Sequence, residues 1–367
     1  MNHSTTRRQG FTDRTGLRRS LIALFAGGAV AAGSVLGAQE ARADGVSDFY
    51  RGRSVQLIVS ASTGGGYDAY ARTIARNMAR HIPGTPSIVV KNMQGAGGIV
   101  ATNYVYNVAP RDGSLFAAVI NAVAFQPLLG NKAAKFDAKK FLWLGSANSE
   151  TGLIFVDHKS KVKTFQDLRS RSISFGAAGA GSSTTLYYRL LNGVLGTKIK
   201  IILGYKGSSE SFMALERGEI EGYFAFWSSL KTRQAELLKA KKIRNIVQIA
   251  LEKDRELPDI PLVLDFAKSQ SERDAVALAV APLAIGRPFL APPEVPADRG
   301  RALQTAFLAT MKDAGFLAEA KKRRLEVSSH MSGERVIALL NKMYATPKDV
   351  VAKVAALSKR KKKKRAK

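Results

Sequence analysis

Three glycine-rich segments of this sequence have the composition and position to bind an anion. They are Gly64-Gly65-Gly66-Tyr67-Asp68, Gly95-Ala96-Gly97-Gly98 and Gly179-Ala180-Gly181-Ser182-Ser183-Thr184, and each lies between a predicted strand and a predicted helix. A helix begins with N–H groups that lack intrahelical partners and with the positive end of the helix dipole. Because glycine has no Cβ, an anion can approach such N–H groups closely. The three segments therefore predict binding of a small anion by backbone amides.

The residues predicted to bind the anion lie in these loops or beside them. From the first half of the chain they are Gly64, Gly65, Gly66, Gly95, Ala96, Gly97, Gly98 and Asn121. From the second half they are Gly181, Ser182, Ser183 and Tyr205. We expect Asp68 to cap its own helix or to orient the first loop, because a carboxylate is a poor partner for an anion. For any single loop, the alternative is a tight turn without a ligand.

Motifs for catalysis, metal binding and nucleotide binding do not occur in the sequence. There is no cysteine, and the four histidines include no pair at i, i+4 spacing, so we predict no thiolate nucleophile and no zinc site. None of the glycine loops continues into Gly-Lys-Ser/Thr, and Val100 stands where a dinucleotide fingerprint needs Gly or Ala. Ser228-Ser229-Leu230-Lys231 has Ser-x-x-Lys spacing but lacks the companion motifs. We therefore predict no catalytic residue, no cofactor and no enzyme activity.

Strand and helix patterns alternate along the chain and predict an α/β fold. In the first half, apolar strand patterns at 55–59, 87–90 and 115–120 alternate with helical segments, which indicates parallel strands. The pattern restarts near 164, with strands at 173–175, 199–203, 223–226 and 243–249. The prolines at 288, 292, 293 and 296 predict an extended link before the last helices. Loops at the carboxyl ends of parallel strands are where open α/β sheets bind ligands.

The two ends of the chain look like segments outside the fold. Residues 1–43 combine Arg18-Arg19, an apolar run and Ala41-Arg42-Ala43, which is the order of a secretory signal peptide. The export route, Sec or twin-arginine, stays open. Residues 358–367 form a basic tail that we predict to be disordered. Between these ends we predict a first lobe at 44–149, a second lobe at 150–280 and a return to the first lobe at 281–357.

The net charge of the chain is +28, which favours anionic ligands without identifying one. Two other functions remain open on these grounds. One is an enzyme that acts on a carboxylic acid, and the other is a polyanion-binding protein that uses its basic surface and tail. We expect no nucleic acid partner, because an exported protein meets little nucleic acid.

Five motifs, which include the first two glycine loops, carry a resemblance to a known protein family. They are Gly64-Gly65-Gly66-Tyr67-Asp68, Asn92-Met93-Gln94-Gly95-Ala96-Gly97-Gly98, Asn107-Val108-Ala109-Pro110-Arg111-Asp112-Gly113, Tyr205-Lys206-Gly207 and Gly286-Arg287-Pro288-Phe289-Leu290-Ala291-Pro292-Pro293. With these motifs, nearly all of residues 48–357 resembles the substrate-binding receptors of the tripartite tricarboxylate transporter family, also called Bug receptors. Unlike many members, the chain has Ala61-Ser62-Thr63 before the first loop and Gln94 before the second, where proline is common.

The resemblance implies a two-lobed periplasmic-binding-protein type II fold, the Venus flytrap. It also implies a periplasmic receptor that captures a small carboxylate, such as a di- or tricarboxylate, and delivers it to membrane transporter subunits. In such receptors the carboxylates are held largely by backbone N–H groups of loops and by waters, in agreement with the absence of Arg and Lys from the three loops. We expect the receptor to be a monomer.

Overall fold

The computed structural model describes residues 45–177, 179, 182–205, 208–327 and 329–358. The predicted signal peptide, the basic tail beyond residue 358 and Gly181 therefore lie outside the described residues. The strands β1–β11 are Ser54–Val59, Ser87–Asn92, Leu115–Ala118, Leu142–Ser146, Gly152–Asp157, Ile173–Ala177, Ile199–Leu203, Gly222–Phe226, Ile243–Ile249, Pro288–Ala291 and Met331–Ser332. The helices α1–α13 are 45–50, Gly66–Met78, Ile99–Asn107, Phe165–Ser170, Ser183–Leu195, Ser208–Glu216, Trp227–Arg233, Ala235–Lys239, Gln270–Ala284, Ala297–Lys312, Ala314–Lys322, Gly333–Tyr344 and Lys348–Ser358.

The first sheet has six strands in the order β11-β4-β10-β3-β1-β2. Strands β1, β2 and β3 run parallel, as their apolar runs predict, so their carboxyl ends lie at one edge. Strand β10 is antiparallel to β3, and the Val119 N–H donates to the Pro288 carbonyl at 3.1 Å. The amino end of β10 therefore reaches the same edge, which we call the first carboxyl edge.

The predicted extended link at residues 288–296 begins with a strand, β10, which lies between β3 and β4 inside the first sheet. Pro288 is the first residue of the strand, a position at which proline is tolerated because its missing N–H is not needed for the ladder. The apolar residues that follow are buried on both faces of the sheet, so packing decides the conformation.

The second sheet has five strands in the order β7-β6-β8-β5-β9. Strand β6 is parallel to β7 and β8, and β5 is antiparallel to β8 with Gly152 opposite Phe226. The carboxyl ends of β6, β7 and β8 and the amino end of β5 therefore share one edge, which we call the second carboxyl edge.

Two short segments, 147–151 and 285–287, connect the lobes and run side by side; we call them the crossing. The Ala147 N–H donates to the Arg287 carbonyl at 2.9 Å, and the Gly286 N–H donates to the Asn148 carbonyl at 3.0 Å. Because β4 ends and β10 begins at the first carboxyl edge, while β5 begins at the second, both edges meet the crossing. The result is a two-lobed α/β organisation with the crossing between the lobes.

Buried apolar side chains cover both faces of the two sheets. One cluster packs α2, α10 and α11 on the first sheet. A second cluster covers one face of the second sheet, around Phe155 and Phe212. The largest cluster is continuous from α3 in the first lobe to α5 and α9, and α13 also packs on α5 and α9. Within the described residues, we find no helix with the length and apolar character of a membrane span.

Candidate functional site

The first two glycine loops meet at the first carboxyl edge. The Ser60 hydroxyl, directly after β1, accepts a hydrogen bond from the Ile120 N–H at 2.8 Å, which joins the ends of β1 and β3. Gly98 packs on both residues, since a Cβ built on it would lie 3.1 Å from Ser60 Oγ and 3.3 Å from Ile120 Cβ. The close approach and a φ of 96° both require glycine at this position.

Asp68 holds the first loop in place, as predicted. Its buried carboxylate accepts the Gly64 N–H at 2.9 Å, Arg72 Nε at 3.0 Å and Asn92 Nδ2 at 2.9 Å. Burial alone would raise the pKa of Asp68, but the hydrogen bonds from Arg72, Gly64 and Asn92 outweigh it and hold that pKa below its usual range. Asn92 also donates to the Ala61 carbonyl at 2.9 Å, so the end of β2 is tied to the loop after β1.

The N–H groups of the first loop differ in whether they already have a hydrogen-bond partner. The Gly64 N–H is already donated to Asp68, so in this conformation Gly64 serves the loop itself. The Gly65 N–H makes a longer bond, to the Ser62 carbonyl at 3.4 Å. Gly65 is the N-cap of α2 and provides no side-chain cap, and Gly66 begins the helix. The first-turn N–H groups of α2 therefore face the first carboxyl edge without a capping side chain.

The second loop is a left-handed turn. Gly95, Ala96, Gly97 and Gly98 have φ values of 142°, 44°, 65° and 96° in succession. Ala96 in this region costs about 1–3 kcal/mol of backbone strain, of the kind that folded proteins keep at functional sites. Helix α3 begins directly after Gly98, which has no side chain to cap it.

The third loop, in the second lobe, provides a side-chain cap for the helix that follows it. The Ser182 hydroxyl accepts the Thr185 N–H at 3.3 Å and donates to the Gly179 carbonyl at 2.9 Å, so it caps α5. The Thr185 hydroxyl also donates to the Gly179 carbonyl, at 2.7 Å. Ser183 is the exposed first residue of α5. Both serines lie at the start of α5, the helix that follows β6 at the second carboxyl edge.

Asn121 and Tyr205, predicted beside the loops, have structural partners. The Asn121 N–H donates to the Tyr67 hydroxyl at 3.0 Å, and its side-chain amide donates to the Pro282 carbonyl of α9 at 2.8 Å. The half-buried ring of Tyr205 lies 3.1 Å from the position that a Cβ on Gly176 would occupy. Asn121 thus belongs to the first carboxyl edge and Tyr205 to the second.

The two lobes approach each other near Tyr67. Tyr187 of α5 is buried with its ring centroid 4.9 Å from that of Phe224. Burial raises the pKa of Tyr187, and the Tyr67 phenol of the first lobe adds to the increase. Farther along, Lys231 Nζ of α7 lies 3.7 Å from the Glu326 carboxylate of the first lobe. Side chains from the two lobes are therefore within electrostatic reach in this conformation.

Sequence reasoning missed a polar cluster at the crossing. Arg287 Nη2 lies 3.3 Å from the Glu150 carboxylate, which also accepts the Ser228 hydroxyl at 3.0 Å and Asn148 Nδ2 at 3.2 Å. Glu150 is 7% exposed. The available signal was two polar residues, Asn148 and Glu150, in a link between two apolar strands, together with Arg287 in a matched motif.

Two surface depressions lie away from the crossing. One, of about 340 Å³, runs beside α2 and is lined by Arg72, Ala75, Arg76, Ala79, Ile88 and Val90. The other, of about 600 Å³, is lined by Glu216, Thr232, Gln234, Ala235, Glu236, Leu237, Ala240 and Lys242. Neither includes a predicted anion-binding residue, so the candidate site rests on the geometry of the loops.

Comparison with known proteins agrees with this architecture. The model of the family described as "Tripartite tricarboxylate transporter family receptor" matches residues 70–354. A UPF0065 protein of Agrobacterium vitis is 28% identical over 273 residues, which span 72% of this chain and 73% of that protein. A TctC solute-binding protein from Polaromonas, solved without ligand, superposes with a TM-score of 0.65 at 18% identity and covers 82% of this chain and 99% of that one. An R. palustris protein solved with adipate superposes with a TM-score of 0.55 at 20% identity, and the match covers 83% of this chain and 97% of that one.

Proposed function

The chain belongs to the tripartite tricarboxylate transporter receptor family, and from this premise we propose that it captures a small dicarboxylate between its two lobes. Receptors of this family are periplasmic solute-binding proteins. The export of this chain by a signal peptide at 1–43 and the delivery of its ligand to membrane transporter subunits, by a monomeric receptor, belong to the same proposal.

One observation carries the proposal. The amino ends of α2 and α3 both lie at the first carboxyl edge, both lack a capping side chain, and both are fixed in place, one by Asp68 and the other by a left-handed turn. Unpaired amides at a helix N-terminus stabilise negative charge through hydrogen bonds and the helix dipole. Because these amides are already ordered, a carboxylate adds to them without paying for loop ordering.

The second carboxyl edge completes the site by closure. One ligand carboxylate binds the amides of Gly66, Ala96 and Gly97, and that of Gly65 in exchange for its long bond to the Ser62 carbonyl. The other end of the ligand meets the start of α5 at Ser182 and Ser183. The crossing consists of two short segments, a form suited to hinge motion between lobes. The adipate in the R. palustris protein supports a dicarboxylate as the ligand class. An affinity in the micromolar range corresponds to about 8 kcal/mol.

Catalysis is not part of this proposal. The Ser-x-x-Lys pair on α7 is not assembled as a nucleophile and base, since the Ser228 hydroxyl donates to Glu150 at 3.0 Å and Lys231 donates to Glu256 at 2.5 Å. The family comprises receptors.

A thermal-shift screen of the mature chain tests the proposal. The ligands are malate, succinate, adipate, citrate and acetate, and adipamide is the uncharged control. At a concentration 100 times its dissociation constant, a true ligand stabilises the folded state by about 2.7 kcal/mol, which raises Tm by several degrees. We expect this for at least one dicarboxylate and no shift for adipamide. If no carboxylate raises Tm, the proposal is wrong.

A further inference from the structure

Arg287 places a positive charge at the first carboxyl edge. It stands at the amino end of β10, on the crossing, and Nη2 lies 3.7 Å from the position that a Cβ on Gly66 would occupy. The guanidinium is therefore a neighbour of the uncapped start of α2. The three glycine loops themselves contain no Arg or Lys among their residues, so this cation reaches the loop amides from a distant part of the chain.

Two aromatic rings fix the guanidinium in position. Its carbon lies 4.7 Å from the Tyr67 ring centroid and 4.9 Å from the Tyr70 ring centroid. The cation opposes the effect of burial on both phenols, because it lowers a pKa that burial raises. A guanidinium held between ring faces loses little side-chain freedom when it takes a further partner.

The hydrogen-bonding capacity of Arg287 is incompletely used. Nη1 donates to the Gly286 carbonyl at 2.8 Å, and Nη2 is 3.3 Å from the Glu150 carboxylate, a long contact for an ion pair. Nε is buried and has no partner among the described residues. A buried charged donor without a partner is destabilised relative to one in water, so an added acceptor is favoured.

We propose that Arg287 is a ligand-binding residue that gives the bound acid a charged side-chain contact beside the amide of Gly66. This inference rests on the proposed function and names a specificity determinant for it. The guanidinium matches the planar carboxylate, which is the ligand group that it selects over an amide or a hydroxyl. Glu150 is its counter-ion without ligand, and it is held by Ser228 of the second lobe. Because Glu150 contacts both Arg287 and Ser228, a ligand that takes over the guanidinium also affects the bond between Glu150 and the second lobe.

Calorimetric titration of the mature wild-type chain and of Arg287→Gln with the acid found in the screen tests the inference. The matched control is Arg299→Gln. Arg299 also stacks on an aromatic ring, Phe49, and donates to a backbone carbonyl, that of Asp112, but it lies away from the crossing. We expect the dissociation constant to rise roughly 10- to 100-fold in Arg287→Gln and to stay within about 2-fold in Arg299→Gln.

A second measurement needs no variant. In the wild-type protein, phenylglyoxal labelling followed by peptide mass spectrometry compares Arg287 with Arg299. We expect the ligand to protect Arg287 and to leave the labelling of Arg299 unchanged.

The outcomes separate the two claims. If the wild type binds the acid, Arg287→Gln binds it equally well and Arg287 is unprotected, the inference is overturned and the proposed function stands. If the wild type binds no carboxylate, both are overturned. If Arg287→Gln fails to fold, the labelling result alone decides.

Discussion

The glycine loops of the two lobes are built differently, although all follow the carboxyl end of a strand. In the first lobe, the starts of α2 and α3 have no capping side chain. The buried carboxylate of Asp68 fixes the conformation of the first loop, and four consecutive positive φ angles at residues 95–98 define that of the second. In the second lobe, Ser182 caps α5 with its own hydroxyl.

The difference suggests unequal roles for the two lobes in ligand binding, which we call the division of labour. In the first lobe, the helix starts lack a capping side chain, and their loops are ordered by interactions that cost backbone strain and a buried charge. In the second lobe, the Ser182 hydroxyl already caps its helix, and under the proposed function this lobe contributes by closing over a ligand that the first lobe has bound. The comparison therefore predicts that binding is far more sensitive to the first-lobe loops than to Ser182.

The largest effect is expected for Asp68→Ala. The change removes the acceptor of the Gly64 N–H and leaves Arg72 and Asn92 without a shared partner. We expect about 2–3 kcal/mol less stability and roughly 100-fold weaker binding of the acid. Urea unfolding and calorimetric titration measure the two quantities. If the variant binds the acid as tightly as the wild type does, the first-lobe loop is not a determinant of binding.

Gly98→Ala and Gly97→Ala form a matched pair in the second loop. Both residues have positive φ, but a Cβ at Gly98 meets Ser60 and Ile120, whereas a Cβ at Gly97 meets nothing within 4 Å. Gly97→Ala therefore adds only backbone strain of about 1–2 kcal/mol, while Gly98→Ala also forces the strand ends apart. We expect roughly 10-fold weaker binding for Gly98→Ala and a smaller loss for Gly97→Ala, measured by titration. The reverse order would contradict the packing described here.

Carboxylates also hold α2, the helix after the first loop, and the turn that follows it to the start and body of α11. Arg80 pairs with Asp313, and Arg76 Nη2 lies 2.5 Å from Glu319. The Phe316 N–H and Arg80 lower the pKa of Asp313 from 3.8 to about 2. Burial opposes the same change at Glu319, but Arg76 and its neighbours lower that pKa from 4.5 to about 2.

Since these pKa values are lower in the folded state, the unfolded state binds more protons below pH 4.5, and stability falls as the pH drops toward 2. We expect wild type to exceed Asp313→Asn in Tm by a few degrees at pH 7. The difference should shrink toward zero near pH 2. Differential scanning fluorimetry across this range measures it, and a constant difference would exclude Asp313 as a source of the pH dependence.

The smallest effect on binding is expected for Ser182→Ala. Loss of the cap lowers stability by about 1 kcal/mol, while the dissociation constant changes less than about 3-fold. Thr164→Ala is the matched control, because Thr164 caps α4 in the same lobe. If Ser182→Ala weakens binding as much as Gly98→Ala does, the two lobes contribute equally and the division of labour is wrong.

Much of the fold could be predicted because its signals are local. Apolar runs of strand length, each followed by glycine and then by a helical pattern, indicate parallel strands with loops at one edge. Strands β1 and β2 have this pattern, and both run parallel to each other, with β3 parallel to β1. Asp68 could be assigned to the loop because its partner Gly64 is only four residues away.

The polar cluster at the crossing depends on contacts that sequence does not display. Glu150 and Arg287 are far apart in the chain, and they meet only because β4 and β10 are neighbours in the first sheet. The internal use of the Ser182 hydroxyl was also hidden, since the same serine suits a ligand contact or a helix cap. Whether Gly65, Gly66, Ala96 and Gly97 bind the ligand stays a prediction.

A crystal structure of the protein with a bound dicarboxylate tests the central claim most directly. The account predicts carboxylate oxygens within about 2.7–3.2 Å of backbone nitrogens at the starts of α2 and α3, with the second lobe closed on the other end of the ligand. A ligand bound elsewhere, or one held in the cleft by side chains alone while these amides face water, would contradict it.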